Sequence, residues 1–265
     1  MKRAVFSAIF AMATATAAFA DVTIKQTVSG KGLGMQQGMV STQYIKGLKM
    51  RSDTVTGDTT RSMIFDVEAQ KVYMFDSKKK EADVFDMTQF GADMSKAVDL
   101  SQSKASFKAN NQTKQIAGKT AAGFDMSITV PMLLGSDGKG GGVPMTATLS
   151  GPVWMVKGAP GSADFARFYR GAVEKGFIFM DPRAAKGAPG QAKAIAEMYR
   201  QMADVGGVPY ETEMNVKMGG DNPMAGLMAK MGGLSMTQTV TDLQTTPVAD
   251  DLFVPPAGYK LNPKK

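Results

Sequence analysis

Strict alternation of apolar and polar residues runs through most of this chain, and it narrows the fold to strands with one face buried and the other wet. Val22, Ile24, Gln26 and Val28 alternate with Thr23, Lys25, Thr27 and Ser29. Val40, Thr42, Tyr44, Leu48 and Met50 read as an apolar phase against Ser41, Gln43, Lys49 and Arg51. Phe124, Met126, Ile128 and Val130 repeat the pattern, followed by Val143, Met145, Ala147 and Leu149. The cleanest case sets Tyr210, Thr212, Met214, Val216 and Met218 against Glu211, Glu213, Asn215 and Lys217. Two runs, Met63 to Val67 and Val72 to Phe75, are apolar on both faces, and Glu68-Ala69-Gln70 joins them. Their spacing predicts a central hairpin covered on both sides. With Thr237 to Leu243 the strands number about ten, and the short polar or glycine-bearing turns between them imply an antiparallel meander.

Helical periodicity is confined to a few segments. Asp164 is the expected cap of a helix that places Phe165, Phe168, Tyr169 and Ala172 on one face and ends at Gly176. A second starts near Gln191, buries Ile195, Met198, Tyr199 and Met202, and stops at Gly206-Gly207. Its outer face carries Lys193 with Glu197 and Arg200 with Asp204 at i, i+4 spacing. A third is expected from Asn222 and Pro223 through Leu227, Met228 and Met231, and a less regular pattern covers Thr88 to Val98. Such helices find their place on the apolar face of a one-sided sheet. The glycine-rich stretches Gly30 to Gly34 and Gly135 to Gly142 resemble turns or hairpin tips, because no helix with a Lys-Ser/Thr start follows as a phosphate loop requires.

Composition removes much chemistry. The chain has no histidine and no cysteine, so Ser-His-Asp and Cys-His triads, His/Cys zinc sites, disulfides and a lipid-modified cysteine are all excluded. Asp66, Asp76, Asp83 and Asp86 sit in strand-and-turn context with no paired motif. No catalytic residue, metal site or cofactor is therefore expected. A net charge of +7 is spread thinly apart from Lys78-Lys79-Lys80 and Lys264-Lys265, and without an aromatic-interleaved basic stripe no nucleic-acid partner is expected.

The first 20 residues carry Lys2 and Arg3, an apolar core from Ala4 to Met12 and the small-residue end Ala18-Phe19-Ala20. This pattern predicts a cleaved secretory signal peptide, with a mature domain over 21–265 that is periplasmic and has no stable membrane anchor. The 22 methionines suit either a core with irregular gaps or an adaptable apolar pocket. A more distant reading is Cu(I) ligation by Met224, Met228, Met231 and Met236.

Several segments in succession resemble a family of uncharacterised exported bacterial proteins similar to the periplasmic lipoprotein carriers, the LolA/LolB-like group. They are Tyr44 to Arg51, Met63 to Val67 leading to Lys71 to Met74, Thr113 to Gly118, and the closing run Asp251 to Tyr259. The resemblance implies an α+β, mainly antiparallel fold: a strongly bent sheet forming an unclosed half-barrel, with helices over its concave apolar face. It also implies an acyl-chain ligand and a gating arginine, for which Arg51 and Arg61 are available without a motif to select one. Unlike the carriers, this chain enters a strand at Val22 without a preceding helix.

The expectation is thus a single-domain, non-catalytic binding protein for a lipid or other hydrophobic ligand. From strand phase, Leu48, Met50, Phe65, Met126, Ile128, Met214 and Val216 are the expected cavity lining, with Tyr199 and Met202 covering it. The alternative is a structural or protein-interaction module whose concavity is filled by its own helices.

Overall fold

The structure is a computed structural model that describes residues 21–31, 38–88, 104–134, 143–187, 189–220 and 234–264. The expected signal peptide, the Gly135 to Gly142 tip, the helix from Asn222, most of the Gly30 to Gly34 turn and the Thr88 to Val98 pattern beyond Thr88 lie outside these residues.

Among the described residues, twelve strands form one sheet. The first meander comprises β1 (Val22–Lys31), β2 (Met39–Lys46), β3 (Lys49–Thr56), β4 (Thr59–Asp66), β5 (Lys71–Asp76) and β6 (Glu81–Asp86). The second comprises β7 (Lys104–Ile116), β8 (Lys119–Leu134), β9 (Val143–Lys157), β10 (Gly207–Gly219) and β11 (Leu234–Gln244), with three helices inserted between β9 and β10. These are α1 (Ser162–Glu174), α2 (Pro182–Gly187) and α3 (Pro189–Val205). A 3-10 turn, Asp250–Phe253, precedes the last strand, β12 (Lys260–Lys264). The spatial order is β12-β6-β5-β4-β3-β2-β1-β11-β10-β9-β8-β7, so antiparallel pairing of β1 with β11 joins the two meanders. The sheet curls but does not close, its edges being β12 and β7. Two pairings depart from the expected meander: β1 joins the distant β11, and β12 runs parallel to β6.

The doubly apolar hairpin forms, with Met63 opposite Met74 and Phe65 opposite Val72, but β5 and β4 are third and fourth from the β12 edge rather than central. Successive residues of a strand face opposite sides, and both sides are covered. Phe65, Val67 and Val72 enter the main core with Phe165, Phe168 and Tyr169 of α1. On the other side, Ile64 packs with Val248 and Phe253, against which Tyr44, Tyr73 and Phe75 also lie.

The expected phase of β2 is overturned. A two-residue turn at Gly47 and Leu48 sets Lys46 opposite Lys49 and Ile45 opposite Met50. Facing residues on neighbouring strands share a side, so crossing this turn exchanges odd for even numbers. Ile45 and Gln43, not Tyr44 and Thr42, therefore lie on the side of Met50, while Val40 is exposed and Tyr44 faces the C-terminal segment.

The helices also need adjustment. The N-cap of α1 is Gly161 at φ 74°, and Asp164 is a buried residue of the first turn. Gly176 does end the helix, in the left-handed region at φ 76°, where a side chain would be strained. On α3, Arg200 bonds Asp204 at 2.8 Å as its spacing suggests, but Glu197 turns to Arg200 and Gln201.

Candidate functional site

Between the helices and strands β2 to β6 lies a cleft of about 730 Å³. Met50, Met63, Phe65 and Met74 line it from the sheet, and Tyr169, Phe179, Met180 and Tyr199 line it from the helices and the segment joining them. The lining is mixed and follows from strand phase: Met50 faces Phe65 and Ser52 faces Met63, so β3 and β4 present one row each to the same side, and Ser52, Thr54, Arg61, Asp76, Glu81 and Asp83 make the larger part of the cleft polar.

The aromatic wall is closely packed. Tyr169 and Tyr199 stack with centroids 4.6 Å apart and 6° between planes, and Phe179 meets them edge-on at 4.8 and 4.9 Å. Tyr169 donates its hydroxyl to the Met50 sulfur at 3.6 Å. Burial raises the Tyr169 phenol well above its ordinary range, with a smaller contribution from Tyr199, and burial raises Tyr199 as well. Both phenols are therefore neutral wherever the protein is folded near neutral pH.

The rim is charged. Arg183 bonds Asp181 at 2.7 Å and reaches Asp83 at 3.4 Å, while Lys264 meets the other oxygen of Asp83 at 3.1 Å. Burial works to raise the Asp181 carboxyl, but the hydrogen bonds and charge of Arg183 outweigh it and hold the group below its usual range. Asp76 is lowered chiefly by the Lys79 backbone N–H, consistent with its 2.8 and 3.0 Å bonds to the amides of Lys79 and Lys78. Asp66 and Asp86 likewise accept from backbone N–H groups, those of Ala69 and Thr88. These carboxylates hold turns. Among the described residues, no group of three or more His, Cys, Asp or Glu comes together as a metal site.

A smaller cavity of about 100 Å³ adjoins the cleft, sharing Gln43, Tyr169 and Tyr199 as walls. Its lining is mostly methionine and aromatic, with Gln26, Thr212 and Gln238 the other polar members.

Of the expected lining residues, Met50 and Phe65 line the cleft, Met126, Met202 and Met214 line the smaller cavity, and Tyr199 lines both. Ile128 is buried farther along the sheet, where Val216 and Ile195 also pack. Leu48 occupies the β2–β3 turn, where its Cδ2 would lie 2.7 Å from a Cβ at Gly171 of α1. Ile128, Val216 and Leu48 thus pack within the protein rather than line either void. Phase reasoning missed Met63, Met74, Phe179 and Met180. The first two belong to the doubly apolar runs, which signal burial without choosing a side, and the last two follow Gly176 in a short apolar run without a period. Of the two arginines, Arg61 lines the cleft. Arg51 is committed to the other side of the sheet, bonding Asp53 at 2.8 Å and the Leu252 carbonyl at 3.1 Å and lying over the Phe75 ring. Of the proposed copper ligands, Met224, Met228 and Met231 lie outside the described residues, while Met236 lines the smaller cavity.

Neither protein-family models nor curated proteins match this chain.

Proposed function

We propose that this is an exported, non-catalytic, carrier-like protein that holds a lipid or another hydrophobic ligand on the concave side of a half-barrel. In this reading α1 and α3 cover that side, and the protein works in the periplasm without a lipid anchor. The observation that carries the proposal is the cleft of about 730 Å³, which falls within the size range of small-molecule sites. Its floor of unbranched, polarizable methionines adapts to chains of different shape. Each buried methylene of a ligand contributes roughly 0.8 kcal/mol, so one acyl chain supplies useful affinity even after the cost of immobilising it.

The resemblance to the lipoprotein carriers points the same way; it selects neither arginine, and the position of Arg61 on the cleft lining makes it the better candidate for contact with a ligand. Under the rival reading, a module filled by its own helices, this open and partly charged cleft is left to solvent.

Native mass spectrometry of the protein isolated from its own compartment tests the proposal. The expected spectrum contains a stoichiometric adduct with a lipid-like mass that organic extraction removes. A spectrum of bare protein, together with no uptake of added long-chain amphiphiles, would sink the carrier reading and favour the rival.

A further inference from the structure

One side chain in the smaller cavity is out of keeping with its surroundings. Gln26 lies on the buried side of β1 between Ile24 and Val28, is 5% exposed, and lines this cavity. Its Nε2 has no hydrogen-bond partner in the protein. An amide shielded from water without an acceptor weakens the folded state, and an apolar side chain of the same length would avoid that cost. Among the described residues that line the cavity none is charged.

We propose that this cavity receives the polar end of the ligand, and that Gln26 Nε2 donates to a neutral carbonyl acceptor such as an ester or ketone. The inference rests on the carrier reading of the cleft and adds the chemical class. The cleft and the cavity have Gln43, Tyr169 and Tyr199 in common, so a chain lying over Met50, Met63 and Met74 enters the cavity by displacing the Tyr199 ring, and Gln43 offers a second amide there. With no cation among the described residues of the lining, a buried carboxylate is disfavoured, because its charge would be desolvated without a partner. An uncharged carbonyl loses far less on leaving water, and the buried Gln26 amide meets it by a rotation of its side chain into the cavity.

The test compares methyl dodecanoate with the alkane of equal chain length, each displacing an apolar fluorophore from the full chain. In the unaltered protein the ester is expected to bind about tenfold more tightly, the scale of one good hydrogen bond. Gln26→Met should reduce this ratio to about one or below, because the thioether offers no donor and makes the lining more favourable to the alkane. The infrared carbonyl stretch of the bound, isotope-labelled ester provides a second measurement that needs no variant, and it should fall below its value in hydrocarbon solvent. Equal binding of ester and alkane by the unaltered protein, or an unshifted stretch, overturns the role of Gln26 and leaves the carrier reading standing. Failure of both ligands to bind overturns the carrier reading itself.

Discussion

Tyr169 joins the core to the cleft: its ring stacks on Tyr199, and its hydroxyl reaches the Met50 sulfur. Because burial raises its ionisation in the folded protein above the unfolded value of 10.0, the folded state binds the phenolic proton more tightly. That stability is fully present below pH about 10 and is lost as pH rises through the folded-state ionisation. Tyr169→Phe should therefore flatten the alkaline fall in urea-unfolding stability, and an unchanged slope would contradict the assignment. At Gly151, a Cβ would sit 2.0 Å from the Glu213 carbonyl oxygen. Gly151→Ala should lower stability by about 1–3 kcal/mol, because β9 and β10 must separate to admit the methyl group; denaturant melts will measure it. Sequence made some residues legible and concealed others. Met126 and Met214 follow from uninterrupted alternation, whereas Gln43 was misplaced because the turn at Gly47 and Leu48 exchanges odd for even. Gln26 was visible as the lone polar member of an apolar phase, but the meaning of that exception depends on the cavity beside it.

At the scale of elements, the segment after α1 deserves a separate measurement because it spans from helix to sheet. It places Phe179 and Met180 in the cleft, and Arg183 at the start of α2 reaches Asp83 on β6. Phe177, Ile178 and Ala185 are buried in the main core, and exposed ion pairs of this kind contribute less than about 1 kcal/mol, so the pair can fasten only the exposed turn around Arg183. Arg183→Ala should speed amide hydrogen exchange at residues 181–184 with little change at Phe177 and Ile178 or in global stability, and exchange unaltered at 181–184 would rule out the pair as a fastening. The segment has no period for sequence to detect. By contrast, the β4–β5 hairpin was legible because apolar residues on both faces demand two covers, although the sequence did not identify the second cover. It is the C-terminal run, whose Phe253 is buried against Ile64 while Tyr259 packs edge-on with Phe75.

At the scale of the whole molecule, an antiparallel sheet with few helices was legible from period alone, while its strand order was not. Pairing β1 with β11 depends on contacts between distant parts of the chain, which local pattern does not encode. Ligand loading should act on the entire cooperative unit. At a free ligand concentration a hundredfold above Kd, linkage adds about 2.7 kcal/mol, equivalent to roughly 5–10 °C in Tm for a domain of this size. Calorimetry of extracted and reloaded protein will show whether the rise occurs.

The junction of β1 with β11 also governs timing. Thr23 finds its partner at Gln244 and Lys31 finds its partner at Ser235, so β1 waits for β11, about two hundred residues later, before both its edges are satisfied. Such distant closure is slow. For a chain proposed to cross a membrane before it folds, that delay keeps the polypeptide threadable, and the finished sheet is assembled only once most of its length has arrived.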